Sequence, residues 1–487
     1  MRIAYFSPLN PIQSGISDYS EELLPALAAT GLQIELFVDE YKPTNREVAT
    51  SFPVHSGKQF ARLHQRQPFN AALYHMGNSP AHAYIYKAIF DNRGRLPGIV
   101  VMHEYVLHHL VMWMALNGGK KRDYQREMGD RYGAAGAEAV RRVLQGQTPE
   151  SLFSFPLSER VIAAADKLIV HSQYMAAKVA EVAPHTPITV APMGMPLPPA
   201  VDRAAARARL GIAPETFVVA SLGHINPYKR LSTSLRAYKA FAMQQPASHY
   251  YLVGSVSPNY NLPRQVAALG LSERVTVTGH ADTATYNDYM AATDVCINLR
   301  YPSAGETSAA LLRIMGAGKA VIVSNTAAFA ELPPAAAVRV DVDESEESLL
   351  LDYLLVLAAD PLLRQTLARN ARKLIASQHR PAQAAAAYYH ALTGGYPVNY
   401  EPHTTYDEIA EAAQAQAEQQ RTAAEQATAS TINAAYNPPA PQDERLAEGA
   451  LSFARVLAAA AAEVGVQESD EAILRGLACT AAEMDRG

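Results

Sequence analysis

The chain has 487 residues, 49% of them hydrophobic, which is ample for two substantial cores; its length suggests about three domains. Its 42 basic and 47 acidic residues leave a formal net charge of −5, which argues against whole-chain attraction to nucleic acid or an anionic membrane. Two cysteines, Cys296 and Cys479, exclude a disulfide framework and a cysteine-based zinc site. No apolar run approaches the ~20 residues of a membrane span. The opening MRIAYFSPL turns polar after a few apolar residues, so it reads as a first strand and not a signal peptide. A cytoplasmic protein is expected.

A short strand is predicted at 3–6, followed by SPLNPIQSGISDYSEELLPALAATG. The helix in this stretch begins near Ile16, lines up Leu23, Leu24 and Leu27, and stops at Gly31. The Gly-X-Gly-X-X-Gly turn of a dinucleotide-binding dehydrogenase is absent here. Strands at 34–38, 71–75 and 99–102 alternate with helices, the pattern of an α/β domain. The last of these strands runs into His103-Glu104, and residues at such carboxyl ends face the ligand crevice. His108 and His109 read as helix-surface or packing residues. Residues 111–160 form a polar helical insertion. The core resumes with ADKLIVHSQYMAAKVAEV, where Ser172 suits an N-cap. The Pro and Gly density near 193–203 marks a linker.

The second half opens with a strand at 216–222, then Gly223-His224-Ile225-Asn226-Pro227-Tyr228-Lys229-Arg230 and a helix to about Gln244. Two cations opening a helix oppose its dipole, so an anionic partner is expected beside them. Strands at 250–253 and 275–278 follow, the latter ending in Gly279-His280, with helices at 262–269 and 284–292. Residues 294–325 carry the densest signal: a strand at 295–299, a tight loop, a helix opening near Glu306, then Gly-X-Lys and a strand at 320–323. Both strands are continuous apolar runs, as expected of a parallel sheet covered on both faces. Gly305-Glu306-Thr307-Ser308 stands at the strand-to-helix junction, where free N–H groups and the helix dipole favour an anion. Thr307 and Ser308 add hydroxyl donors, and Glu306 an acceptor for a sugar or ribose hydroxyl. Cys296 reads as a small buried hydrophobe. The acidic run containing Asp341 and Asp343 reads as a helix cap, and no metal is expected. Helices at 345–359, 361–378 and 381–393 follow. Beyond 396 the chain is rich in Ala, Gln and Glu. Residues 406–432 are polar enough for a solvated helix or disorder. Residues 444–464 and 467–484 read as amphipathic helices suited to packing or self-association.

Four motifs together resemble the family 4 glycosyltransferases of the GT-B fold. They are the Ser14-Gly15 loop before the first helix, His103 after the fourth strand, Gly223-His224…Lys229, and Glu306 with the turn and Met315-Gly316-Ala317-Gly318-Lys319-Ala320. The resemblance covers roughly residues 1–395 and is strongest over 216–325. It implies an α/β, GT-B protein: two Rossmann-like domains facing across a cleft, plus a helical C-terminal extension. The implied boundaries are 1–197 for the acceptor domain, 198–380 for the nucleotide-sugar domain, 381–395 for a crossover helix and 396–487 for the extension.

By the same resemblance, Ser14 and Gly15, with Asp18 and Tyr19, face the cleft, and His103 lies near the donor sugar. Lys229 and Arg230 neutralise the donor diphosphate, His224 sits where the family has Arg, and His280 lies over the nucleobase. Gly305, Glu306, Thr307 and Ser308 hold the donor. Arg313 replaces a second Glu that would hold the ribose, so it turns towards a phosphate or pairs with Glu306. Glu331 matches a Glu read as a structural cap. The implied activity is metal-independent, retaining transfer of a hexose or deoxyhexose from a nucleotide-diphosphate sugar to a hydroxyl of a glycan or related acceptor, in polysaccharide biosynthesis. No cofactor is needed, the donor being a substrate. No general base for inversion stands out. Two alternatives share the site: a GT-B nucleotide-sugar epimerase, and a non-catalytic nucleotide-sugar-binding subunit.

Overall fold

The computed structural model describes residues 1–397 except 149 and 259; residues 398–487, with the helices expected there and Cys479, lie outside the described residues. Seven strands form the first sheet: β1 Arg2–Phe6, β2 Gln33–Val38, β3 Val54–Ser56, β4 Ala71–Met76, β5 Gly98–Met102, β6 Lys167–Val170 and β7 Ile188–Val190, in the order β3-β2-β1-β4-β5-β6-β7. Six form the second: β8 Phe217–Leu222, β9 Ser248–Val253, β10 Val275–Gly279, β11 Val295–Asn298, β12 Ala320–Ser324 and β13 Val338–Val340, in the order β10-β9-β8-β11-β12-β13. Every named strand pairing is parallel.

In β1, Ile3 and Tyr5 enter one core while Ala4 and Phe6 enter another. In β11, Cys296 faces the first of these cores, and Val295 and Ile297 face a third. The strands are therefore apolar throughout, because successive side chains are buried on opposite faces. One core is shared by both sheets, through Ala191, Met193 and Met195 and through Ala384, Tyr388 and Leu392 of the helix Pro381–Thr393. That helix crosses back to the first domain: Tyr388 lies against Tyr19, and Lys167 Nζ donates to the Ala391 carbonyl at 2.9 Å.

The three-residue strands β3 and β13 have no counterpart in the sequence reading. Each sits at a sheet edge, is held by one neighbour, and is too short to show a period. The insertion resolves into helices His108–Asn117 and Lys121–Leu144, the latter kinked at Gly133, with a short turn at Glu150–Ser154. Its own small core includes Tyr124, Met128, Val140 and Leu152. His108 is a packing residue, with Nδ1 2.7 Å from the Phe155 carbonyl and Nε2 2.6 Å from the Tyr124 hydroxyl. A groove enclosing about 1100 Å³ lies between this insertion and the helix Ala83–Asn92, lined by residues such as Tyr86, Phe90, Arg126 and Asp130. None of the residues singled out from the sequence lines it.

Candidate functional site

The carboxyl ends of the two sheets carry different chemistry. On the second domain, β8 is followed by Gly223, whose φ of +95° suits glycine. A Cβ there would come within 3.3 Å of Lys229 Nζ, and a Cβ on Gly254 would lie 2.3 Å from the Gly223 carbonyl. The two glycines therefore clear the space into which Lys229 folds back. Lys229 is buried, and its Nζ donates to the Leu222 carbonyl at 2.8 Å. Burial pushes it down to about 7, helped by the charge of Arg300. A buried cation with one neutral partner is expensive, and an incoming anion would offset that cost.

Arg230 is engaged differently. It sits at φ +54° between the turn Pro227–Lys229 and the helix Leu231–Gln244. Its guanidinium grips Glu346, with Nε 2.9 Å from Oε2 and 3.1 Å from Oε1, and the Glu346 side chain is 2% exposed. Where the sequence suggested a pair of phosphate-facing cations, the structure engages Arg230 with Glu346, so that it fastens the helix Glu346–Ala359 to this turn. The second cation of the edge is Arg300, two residues past β11. Its Nε lies 3.0 Å from Glu306 Oε1, but the buried N–H is not aimed at that oxygen. Sequence reading missed Arg300 because nothing in RYPSAGETS says which strand end it will share with Lys229. Near it, Asn298 is buried with neither amide atom paired among the described residues.

Glu306 is committed to its own loop. Its Oε2 accepts from Ser303 Oγ at 2.9 Å and from the Ala304 amide at 2.8 Å. The helix expected near Glu306 starts at Ala309, because Ser308 caps it and accepts from the Leu311 amide. Thr307 Oγ1 lies 3.4 Å from the His171 carbonyl of the first domain. Gly305 has φ +84°, and a Cβ there would meet Tyr105 Cβ at 2.9 Å. The Ala304 carbonyl accepts from Tyr105 N at 2.7 Å and Val106 N at 3.1 Å. This loop is therefore docked across the cleft on the first domain.

Two further bridges hold the same closure. Arg313 pairs with Glu22 of the first helix at 2.6 Å and not with Glu306. Glu331 accepts from Gln173 N at 3.1 Å and Tyr174 N at 2.5 Å. It thus caps the helix Gln173–Val182, together with Ser172, and does so from the other domain. His224 and His280 are exposed. His224 is held by Ser255 Oγ at 3.0 Å and Ser257 Oγ at 2.9 Å; burial is the main cause of its lowered pKa, and the Lys229 charge adds to it.

On the first domain the carboxyl edge is lined by imidazoles. His75 in β4, His103 after β5 and His171 after β6 are all buried. His75 Nδ1 and His103 Nε2 share a hydrogen bond at 2.9 Å, and the His103 and His171 rings are 4.9 Å apart. Burial pushes all three below their usual range, His171 to about 4, so they are neutral at pH 7. His103 Nδ1 is buried and unpaired among the described residues. Tyr19, expected at the cleft, instead covers these rings and donates to the Tyr388 hydroxyl at 3.0 Å. Asp18 is exposed and accepts from Asn10. Ser14 caps the first helix by accepting from Ser17 N at 3.0 Å, and Gly15 opens it.

Beside His103, Glu104 is the carboxyl that faces the docked loop. Its Oε2 accepts from the Asn78 amide, and burial, then the charge of Glu306, push it up to about 7. Asp341 accepts from Asn325 Nδ2, and Asp343 caps Ser345. Among the described residues no group of three or more His, Cys, Asp or Glu side chains is placed to hold a metal ion, and no helix is long and apolar enough to cross a membrane.

Residues 202–374 match the family model for Glycosyl transferases group 1, a span containing the whole second sheet and both cations of its edge. The chain is similar to a D-inositol 3-phosphate glycosyltransferase of Mycolicibacterium gilvum (strain PYR-GCK), with 34% identity over 140 residues, 27% of this chain and 31% of the relative. A counterpart from Nocardia farcinica (strain IFM 10152) is 34% identical over 145 residues, 27% of this chain and 32% of the relative. The chain thus spans about a third of the length of these curated relatives. Among solved structures, sucrose-phosphate synthase of Thermosynechococcus elongatus superposes with a TM-score of 0.61 at 18% identity, covering 81% of this chain and 99% of that one. Anabaena HepE in complex with UDP gives 0.56 at 17%, covering 81% and 100%. The fold is GT-B: two parallel-sheet α/β domains with their carboxyl edges facing one another.

Proposed function

We propose that the protein is a glycosyltransferase that moves a sugar from a nucleoside-diphosphate sugar to a hydroxyl of a glycan or related polyol. The observation that carries this reading is Lys229, buried with a single neutral partner beside Arg300 at the carboxyl edge of the sheet that matches the group 1 family. Fixed cations there would stabilise the charge that develops on a departing diphosphate. With Lys229 pushed down to about 7, only part of its charge is present in the free protein at neutral pH, and binding a diphosphate would take up a proton and restore the cation. The sugar would then lie towards the first domain, against Glu104 and the docked loop, with neutral imidazoles behind it.

Transfer is proposed to proceed with retention, the leaving phosphate accepting the proton of the attacking hydroxyl, and without a metal. The placement of Lys229 and Arg300 supports this, since they would do the work of a cation at the phosphate. Glu104 supports a second reading: a carboxyl near 7 could also serve as general base for inversion. Purified protein incubated with UDP-, GDP-, ADP- and dTDP-glucose and a panel of glycans and polyols tests the reading. Proton NMR of the product anomer then separates retention from inversion. Absence of transfer and of nucleotide binding across the panel would overturn it, as would full activity in Lys229→Ala.

A further inference from the structure

Asn298 is the last residue of β11, at the carboxyl edge of the second sheet. It is 3% exposed, and neither its Oδ1 nor its Nδ2 has a hydrogen bond among the described residues. Leaving a buried amide unpaired is costly, and an aliphatic side chain would fill the same space without that cost. Two residues on, Arg300 has a buried Nε–H with no acceptor aligned to it. Lys229, also buried, has the Leu222 carbonyl as its neutral partner. Unmet hydrogen-bonding capacity is thus concentrated at this one strand end.

The strand register says what the amide lies beside. β11 pairs with β8 with Val295 opposite Val219 and Cys296 opposite Ala220, so Asn298, two residues further on, is level with Leu222. The Leu222 carbonyl is the group that holds Lys229 Nζ at 2.8 Å. Side chains alternate along a strand, which puts Asn298 on the face of Cys296. Cys296 and Lys229 are close enough for each to act on the other's charge. A Cβ on Gly223 would meet Ala310 Cβ at 3.2 Å and Lys229 Nζ at 3.3 Å. The amine therefore lies on that same face, beside the first turn of the helix Ala309–Gly316.

Lysine and arginine offer only donors and a phosphate only acceptors, whereas an amide carries both. We propose that Asn298 bridges Lys229 and the diphosphate of the donor, its Oδ1 accepting from the ammonium and its Nδ2 donating to a phosphate oxygen. This rests on the proposed nucleotide-sugar reading of the same site. The ammonium has three N–H groups: one stays on the Leu222 carbonyl, one goes to Asn298 Oδ1 and one to the phosphate. A carboxylate at 298 would hold the ammonium but repel the phosphate, and an aliphatic side chain would do neither. Asn298 thus touches the anion and positions Lys229 against it.

The test titrates UDP, GDP, ADP and dTDP into the full chain by calorimetry, in two buffers of different ionisation enthalpy. For whichever nucleotide binds, Asn298→Leu should weaken binding roughly 10- to 100-fold, as expected for lost hydrogen bonds to charged groups. Its melting temperature should stay level or rise, since an unpaired buried amide is gone. Asn298→Asp should also weaken binding. By keeping Lys229 charged in the free protein, it should remove the proton uptake that accompanies wild-type binding above pH about 7. That uptake reports Lys229, because burial pushes the Cys296 thiol up to about 12 and holds His224 below its usual range, while a guanidinium such as that of Arg300 keeps its charge throughout. Unchanged affinity in Asn298→Leu would overturn the bridge, and so would a lowered melting temperature, which would mean that the amide is spent on structure. Undiminished proton uptake in Asn298→Asp would overturn it too, by showing that the side chain does not reach Lys229. If no diphosphate binds the wild type, the nucleotide-sugar reading falls and takes the bridge with it; wild-type binding with no loss in Asn298→Leu removes the bridge alone.

Discussion

The two carboxyl edges that face each other are built from the same parallel architecture and filled with opposite chemistry. The first sheet ends in His75, His103 and His171, neutral because they are buried without acidic partners. The second ends in Lys229 and Arg300, with glycines at 223 and 254 clearing the space. A diphosphate would be drawn to one wall only, and the other would offer an uncharged, shaped surface. The comparison teaches that polarity across a cleft need not come from net charge, which is −5 for the whole chain. It comes from which strand ends receive groups that burial neutralises and which receive cations that await a counter-charge.

The sharpest way to break this comparison is at the two adjacent basic residues. Lys229→Ala should lower kcat/KM by about two to three orders of magnitude, the scale of a lost transition-state charge contact, with little change in melting temperature. Arg230→Ala should do the reverse. It strands the buried Glu346 carboxylate, a loss of about 3 kcal/mol of stability by the usual cost of an uncompensated buried charge, read by urea unfolding. Equal kinetic effects of the two substitutions would mean that Arg230 leaves Glu346 to reach the phosphate.

Acid should separate the two walls. A histidine held below its ordinary 6.5 contributes stability that is fully present above that value and is lost as pH falls towards the folded value, about 4 for His171. The sign follows because the unfolded state binds more protons in that interval. Unfolding followed between pH 7 and 4 should therefore show the first domain losing structure before the second, with hydrogen exchange rising earliest in β4, β5 and β6. Lys229 acts on the alkaline side. Binding of UDP should take up protons above pH about 7, measurable as a buffer-dependent binding enthalpy, and Lys229→Gln should abolish the uptake.

The closure contacts should give smaller effects. Glu22→Ala or Arg313→Ala removes one partly exposed ion pair and should cost at most about 1 kcal/mol, with a double-mutant cycle showing that most of it is their coupling. A loss of ribose selectivity in Arg313→Ala would instead bring Arg313 back to the nucleotide. The smallest effect is expected at the acidic run. Asp341→Ala and Asp343→Ala, and an excess of chelator, should leave turnover unchanged, since these carboxylates hold Asn325 and Ser345. Recovery of activity by manganese or magnesium after chelation would contradict this.

The sequence by itself determined the doubly covered sheets, since continuous apolar runs such as residues 320–323 leave no polar face. It also determined the Ser172 cap, whose donor lies within one helical turn, while the caps at Ser14 and Ser308 emerged only in the structure, and it marked Lys229, because a cation opening a helix needs a reason to be there. Partners distant in the chain were not legible. Arg230 meets Glu346, Arg313 meets Glu22, Glu331 caps a helix of the other domain, and Glu104 lies opposite Glu306. Each depends on which strand ends the sheet order brings together and on how the two domains dock. A charged side chain reaches several possible partners with similar local propensity, and only the fold decides which of them it meets.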